Sequence, residues 1–342
     1  MSKGVDGLMG NKDGSQPAGG EVALWKKQTV LGAGAALACF LSLLLVPVAG
    51  FFLSFMTPLP VLLVCYRWGI PYGYGAPAVA ALAGGALLLV LGLGALAPYY
   101  LELLVLGALL ARGMRLHRSI HRTVARAVLP VFVLGAVVFW VSHGGMGGDV
   151  FKKVEKGVLE ALSRTVSHYR ELFPEQALAE DRLRQAAALM VRLIPGVALA
   201  FAFVVGWLNL LAARKFCRVH RWPFPPWGDW SLWKSPEILV FGFIACGFLL
   251  VLPGSATRVF ALNGLVALGT AYFFQGLAIV VYYFHRWRVP PFFRGMLYVI
   301  LLVQQFATMA MILMGLFDIW LDFRRISRQP ADGKDDRKDE DE

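Results

Sequence analysis

Charge is scarce in this chain, and acidic charge is scarcer still. Charged residues make up 16% of it, against roughly 25% in an average soluble domain. At 342 residues a soluble protein would need two packed domains with charge spread over amphipathic faces. Here the charges are clumped at segment ends instead. Cysteine is sparse too: Cys39, Cys65, Cys217 and Cys246 never pair at metal or disulfide spacing. Three of them lie in apolar runs, where a thiol is simply a small hydrophobe, so no disulfide framework or zinc site is implied. The chain also lacks a GxSxG elbow, HExxH, a phosphate-binding GxxxxGK(S/T) and CxxC. These absences predict no enzyme, no cofactor and no resident metal.

Apolar residues fill the space, at 58% of the chain. Long apolar stretches recur from Thr29 to Phe317, broken by short loops crowded with arginine. A run of roughly 20 apolar residues crosses the hydrocarbon core as a helix. Inside lipid the backbone must pair with itself, so such runs are helices. The span candidates are 29–46, 50–66, 76–97, 98–111, 124–142, 192–213, 236–252, 259–284 and 291–317. Pro58 and Pro60 make 50–66 a candidate broken or re-entrant helix. Residues 98–111 are short for a crossing, and Pro98 could merely kink one long helix.

A net charge of +11 raises the question of nucleic acid. The bases sit beside apolar runs, however, where they orient a protein by the positive-inside bias. The predicted partner is therefore the lipid bilayer, not nucleic acid. Arg112, Arg115, Arg118, Arg122 and Arg126 form one acid-free cluster; Arg214, Lys215, Arg218 and Arg221 form another. Both are expected to be cytoplasmic. Residues 1–24 read as a disordered tail, and Lys26 and Lys27 open the first apolar run. That run passes Ala36-Leu37-Ala38-Cys39, loosely a lipoprotein box, and continues to Val46. This favours a retained span over a cleaved signal.

Residues 143–191, between the 25–142 and 192–328 membrane segments, are then extracytoplasmic. Asp149 can cap a helix start, and Phe151, Val154, Val158, Leu162, Val166, Tyr169 and Phe173 come after it at helical steps. Pro174 breaks the run and suits the start of a second helix. The expected structure is a helical hairpin or kinked helix capping the bundle, with an in-plane interfacial helix as the competing arrangement. The C-terminal end poses a conflict. Arg286, Arg288 and Arg294 ask for a cytoplasmic loop, and so do Arg324, Arg325 and Arg328, yet one span at 291–317 separates them. Either the tail is outside or an earlier span is miscounted. Residues 329–342 read as a charged disordered tail.

Ionisable and polar groups at membrane depth are the candidate functional residues, because burying them is costly. Glu102 is the only acid in the spans between residues 29 and 213, beside Tyr99 and Tyr100. Asn209, Asn263, Gln275, Gln304 and Gln305 lie in otherwise apolar runs, where interhelical hydrogen bonds are the plain alternative to ligand contact. Asp318 and Asp322, spaced i, i+4, share a face at the end of the last span and oppose the helix dipole. Arg324 and Arg325 could compensate them, which leaves a gate or an interfacial charge cluster. His117 and His121 have metal-pair spacing but sit among five arginines that would repel a cation. Trp222-Pro-Phe-Pro-Pro-Trp227 with Trp230 and Trp233 fits an aromatic belt. Gly32/Ala36 and Gly34/Ala38 are small pairs that let helices approach closely.

Phe55-Met-Thr-Pro58-Leu-Pro60-Val-Leu-Leu-Val-Cys-Tyr-Arg67-Trp-Gly69 resembles the PLP-hydrophobic-R-x-G element of the YybS-like bacterial membrane proteins. Arg192-Leu-Ile-Pro195, Trp230/Trp233/Pro236, Asn263, Gln275-Gly276-Leu277-Ala278 and the stretch from Gly315 to Arg324 resemble further landmarks, over roughly residues 25 to 328. That family is distantly similar to the S subunits of energy-coupling-factor vitamin transporters. The resemblance implies a bacterial inner-membrane protein that holds a small molecule. It also implies docking to a transmembrane coupling subunit with an ATPase, through small residues such as Gly32, Ala36, Gly34 and Ala38. The insertion at 143–191 and the extra C-terminal spans depart from that pattern. The expectation is an all-α polytopic bundle of eight or nine spans with a helical cap. Arg67, Glu102, Asn209, Asn263 and Gln275 are its candidate binding residues, and Asp318 and Asp322 its candidate gate or interface. A non-transporting scaffold, recruiting a cytoplasmic partner through 112–126 and 222–236, is the alternative.

Overall fold

The computed structural model describes residues 19–142, 149–172 and 180–324. Every long regular element in them is an α-helix, and no strand occurs among the described residues. Phe173, Pro174, Arg325, Arg328 and the charged tail lie outside the described residues. So do the first eighteen residues; helix α1 begins at Gly19, inside the stretch read as tail. Packing divides the chain into two units, Met1–Pro226 and Trp227–Glu342, at the Trp/Pro-rich loop.

The first unit holds α1 (Gly19–Leu45), α2 (Pro47–Ser54), α3 (Pro58–Trp68), α4 (Gly75–Val90), α5 (Ala97–Arg115), α6 (Ile120–Ser142), α7 (Asp149–Leu172) and α8 (Glu180–Val219). Prolines open α2, α3 and α5 in their first turns, where a missing N–H costs nothing. Helix α3 is the core element, with Val61, Leu62, Cys65, Tyr66 and Trp68 buried. It packs on α1 and α5. Gly32 of α1 faces Val64, and Gly107 of α5 lets the Pro58 backbone come so close that a Cβ there would collide with it. Pro98 does not kink a long helix: α4 stops at Val90, Gly92 turns left-handed (φ +72), and α5 starts afresh at Ala97.

Helix α8 is 40 residues long, about 60 Å at the helical rise and twice the hydrocarbon thickness. Reading a crossing at 192–213 with a separate second cap helix after Pro174 divided what is, from Glu180 on, one continuous helix. Helix α7 packs along α8, whose Leu183, Ala187 and Val191 are buried at four-residue steps. The second limb of the expected hairpin is thus the span itself, extended. Among the described residues, α8 is the one helix on which α7 packs extensively.

The second unit holds α9 (Ile238–Val251), α10 (Ser255–Arg286), α11 (Pro291–Val303) and α12 (Gln305–Leu321). The single span expected at 291–317 is two helices, bent by 99° at Gln304, whose backbone leaves the helical region (φ −85, ψ 110). The polar pair Gln304-Gln305 sits at that break, but no proline, glycine or charge does, so the sequence reads there as one span with two polar residues. Tyr283 Oη donates to the Phe323 carbonyl at 2.9 Å. Arg294, in the first turn of α11, donates to the carbonyls of Val289 (2.6 Å) and Phe284 (3.4 Å). The α11–α12 pair therefore starts and finishes beside the last turns of α10. Arg286, Arg288 and Arg294 therefore share one end of the unit with Arg324, which a single straight span would put at the opposite end.

Among the described residues seven stretches are long and apolar enough to cross a membrane, Val48–Trp68 (α2 with α3) and Tyr72–Val90 counting as one each, or eight if the bent pair counts as one. The nine candidate stretches drop to that number because α9 has only 14 residues and α11–α12 is broken. Helices α10 and α12 cross backbone to backbone. A Cβ at Gly276 would fall on the Met311 carbonyl, and one at Gly315 on that of Tyr272. Small residues give membrane helices this kind of contact. Gly315→Leu is expected to destabilise the protein by at least about 1–3 kcal/mol through overpacking. Gly247→Ala, where a Cβ meets nothing within 4 Å, should be neutral or mildly stabilising. Thermal unfolding in detergent compares the two.

Candidate functional site

The break between α2 and α3 creates a backbone problem that a side chain solves. Pro58 and Pro60 have no N–H, and the Leu59 N–H bonds to Met56, so the Phe55 carbonyl lacks its usual helical donor. Asn209 of α8, fully buried, supplies one: its Nδ2 donates to the Phe55 carbonyl and to the Val205 carbonyl, each at 2.7 Å. Its Oδ1 is buried with no hydrogen-bond partner, and so is Oγ1 of Thr57, a fully buried residue two positions past Phe55. The aromatic rings of Phe51 and Phe201 close on Phe55 at 4.8 and 5.0 Å.

The other end of α3 lies about 15 Å away at the helical rise. Gly69 there takes a left-handed conformation (φ +67), and the Arg115 guanidinium occupies the space a Cβ would need. Arg115 Nη1 donates to the carbonyls of Tyr66 (2.8 Å) and Arg67 (3.4 Å), capping the helix. The Arg67 guanidinium lies 4.7 Å from the Trp222 ring centroid. Tyr66 Oη donates to the Pro223 carbonyl at 3.0 Å, holding the Trp/Pro segment in place. Arg67 and Asn209 thus sit at opposite ends of α3. Glu102 lies half-buried near the start of α5, its carboxylate oxygens 3.0 Å from where a Gly135 Cβ would stand. Since Pro58 meets Gly107 and Arg67 meets Arg115, α3 and α5 run parallel, and Glu102 is on the break side.

In the second unit the structure gathers Gln275, Asp318 and Asp322. Asp318 and Arg324 form an ion pair at 2.7 Å with both side chains fully buried. Asp318 Oδ2 also accepts from Gln275 Nε2 at 3.0 Å, and Oδ1 from the Phe323 N–H at 3.1 Å. Gln275 Oε1 accepts from both the backbone N–H and the hydroxyl of Ser235. Arg324 Nη1 donates to the carbonyls of Ser231 (2.6 Å) and Trp233 (3.0 Å). Asp322 does not continue the helical face of Asp318: α12 ends at Leu321, Asp322 is left-handed (φ 41), and it pairs with Lys234 at 2.8 Å. The helix stops because the Asp318 carboxylate takes the Phe323 N–H. Asn263 bonds back to Val259 of its own helix at 2.8 Å.

The carboxylate expected to need compensation finds it in Arg324, whereas Arg115, Thr57, Trp222 and Ser235 were not singled out as site residues. The signal for Arg115 was available, because a helix ending in Arg67-Trp68-Gly69 leaves carbonyls that want a cation or N–H donor. His117 and His121 fall on either side of the α5–α6 turn and do not share a helix face. Among the described residues no group of three His, Cys, Asp or Glu could hold a metal. Gly32 and Ala36 face inward, while Gly34 and Ala38 are exposed, and a Cβ at Gly34 meets nothing within 4 Å.

The sequence pattern of the family described as "Predicted membrane protein (DUF2232)" matches residues 34–319, from α1 into α12. No curated protein and no solved structure matches the chain. The match and the long apolar helices together make this an all-α, multi-pass membrane protein. Asp318→Ala should cost about 3–5 kcal/mol, because it strands a buried guanidinium. Replacing both partners, as Asp318→Leu with Arg324→Met, should recover most of that loss. Melting temperatures of the single and double variants in one detergent would decide it. A double-variant loss equal to the sum of the two single losses would mean the pair is not coupled.

Proposed function

The chain belongs to that membrane-protein family, and we propose that it binds, and helps to move, a small molecule at the interrupted helix α2–α3. One observation carries the proposal: Asn209 and Thr57 place two fully buried, unpartnered polar atoms at a helix break. Transporters commonly build substrate sites where membrane helices are discontinuous, since the freed backbone and nearby side chains can then face a ligand. Polar groups at this depth are costly and tend to be functional. Glu102, on the same side of α5, would line the approach.

No nucleotide-binding signature is present in the sequence, so transport would draw energy from elsewhere. The resemblance to S subunits points to a coupling subunit with an ATPase in a bacterial inner membrane. The exposed Gly34/Ala38 face of α1 suits such docking; the inward Gly32/Ala36 face is already used. The purified chain in nanodiscs would be exposed to the small-molecule extract of its source cells, with retained compounds identified by mass spectrometry. Wild type should retain a compound, and Asn209→Leu should weaken retention about tenfold, the value of one buried hydrogen bond. Undiminished retention in the double variant Asn209→Leu with Thr57→Val would overturn the site. A pull-down from native membranes tests the partner. A coupling subunit with an ATPase supports transport; a soluble protein alone supports the scaffold, docked on the basic segment 112–126.

A further inference from the structure

Most of the charged residues on the segments that meet at the Arg67 end of the first unit are cations. The start of α1, the ends of α3, α5 and α8 and the start of α6 meet there. Trp68 Nε1 donates to Gln28 Oε1 at 2.8 Å, Arg115 caps α3, Trp222 lies under Arg67, and Gly113 lies against Thr123. Lys26, Lys27, Arg112, Arg118, Arg122 and Arg221 come from these same segments. From Val22 to Gly148 the sequence has one acid, Glu102, which is at the far end of α5; from Arg182 to Gly228 it has none. Near the start of α1 stands Glu21; among the described residues no carboxylate pairs with Arg67.

Arg67 is unlike the surface arginines around it. Its side chain is half-buried, its Nε is buried without an acceptor, and none of its nitrogens forms a hydrogen bond or ion pair among the described residues. The guanidinium lies against the Trp222 ring, with Trp68 at 5.8 Å. Stacking holds the plane but leaves the N–H donors unused. A partly desolvated cation with unused donors is unfavourable unless an anion completes it. A planar fork of donors fits a phosphate by two parallel hydrogen bonds. Depth narrows the source: five helices end or begin here, and Trp25, Trp68, Tyr72 and Trp222 gather at this level as interfacial aromatics do.

We propose that Arg67, laid on Trp222, binds the phosphate of an anionic phospholipid at the basic end of the first unit. The reading is independent of the helix-break site, which lies at the opposite end of α3 and is tested by retained soluble compounds.

The experiment is native mass spectrometry of the full chain in detergent, with phosphatidylglycerol or phosphatidylcholine of the same acyl chains. Wild type should retain phosphatidylglycerol preferentially. Arg67→Gln should reduce that preference about fivefold or more, beyond the loss of a single surface charge. Arg67→Lys, with charge but no fork, should fall between. Arg122→Gln, an exposed cation at the same end, is the control and should have a smaller effect. Should Arg67→Gln not fold, Trp222→Leu removes the platform, keeps the charge, and should weaken retention in the same way. Equal effects of the Arg67 and Arg122 variants would reduce the site to general positive potential and overturn it. So would the absence of any lipid preference. Displacement of the lipid by millimolar inorganic phosphate would identify a soluble anion as the ligand and overturn the lipid assignment.

Discussion

A carbonyl inside a hydrocarbon layer has no water to bond, so each interruption of a membrane helix must be answered by the protein itself. This chain interrupts its helices often, and many of its buried polar side chains supply the answers. Asn209 serves Phe55 at the α2–α3 break. Arg115 serves the end of α3, Arg294 the end of α10, and Arg324 the turn that carries Ser231 and Trp233. Trp25 donates to Tyr72, and Tyr283 to Phe323. The arginines that a composition-level reading assigns to topology are thus partly backbone caps. Their positive charge also opposes the negative ends of the helices they close.

Arg324 and Arg67 place the same side chain in two settings with opposite outcomes. Arg324 is fully buried, and its charge is matched by Asp318 and two carbonyls. The result is a clasp joining the 230–236 loop, α10 and the end of α12. Such a pair contributes geometry more than net stability, because desolvation consumes most of the attraction. Gln275 and Asp318 have their polar atoms engaged within this clasp, which leaves them interface residues in what they touch. Arg67 is half-buried and has only aromatic faces beneath it. Where the protein leaves a polar group unanswered, at Arg67, Thr57 and Asn209 Oδ1, a molecule from outside has something to bind.

The positions of the membrane helices were legible in the sequence because apolar length is a strong signal. Thr29–Val46, for instance, falls inside Val22–Leu45 to within a residue at its C-terminal edge. The α2–α3 break was legible for a different reason, since Pro58 and Pro60 remove two N–H groups. The break at Gln304 was not legible as a helix end, because only the polar pair Gln304-Gln305 marks it and no proline, glycine or charge does. The length of α8 was hidden by Arg182 and Arg184, whose charges end the apolar run and set the residues before 192 apart as a separate cap helix, yet are compatible with one helix packed on α7. Among site residues, Asn209, Gln275 and Asp318 stood out as polar groups in apolar runs. Their partners did not, because Phe55–Asn209 and Gln275–Asp318 contacts join residues 154 and 43 positions apart.

The broken elements also differ in how firmly they are held, and this bears on movement. The α10–α12 crossing is backbone against backbone, with Gly276 and Gly315 admitting no side chain between the helices, and the buried clasp lies just beyond it. Interfaces of that kind change by discrete rearrangement or not at all. At the α2–α3 break α3 is fixed against Gly107 and α2 against Ser42, while the two are joined across it by one amide and aromatic edges, with two polar atoms still unpartnered. Fewer and weaker ties make a region open at lower free energy. A ligand that bonded Asn209 Oδ1 and Thr57 would add ties where they are fewest, so its binding energy would act on the conformation of α2 relative to α3. A small-molecule site there would therefore also be a hinge, while the clasped second unit provides a fixed frame of its own.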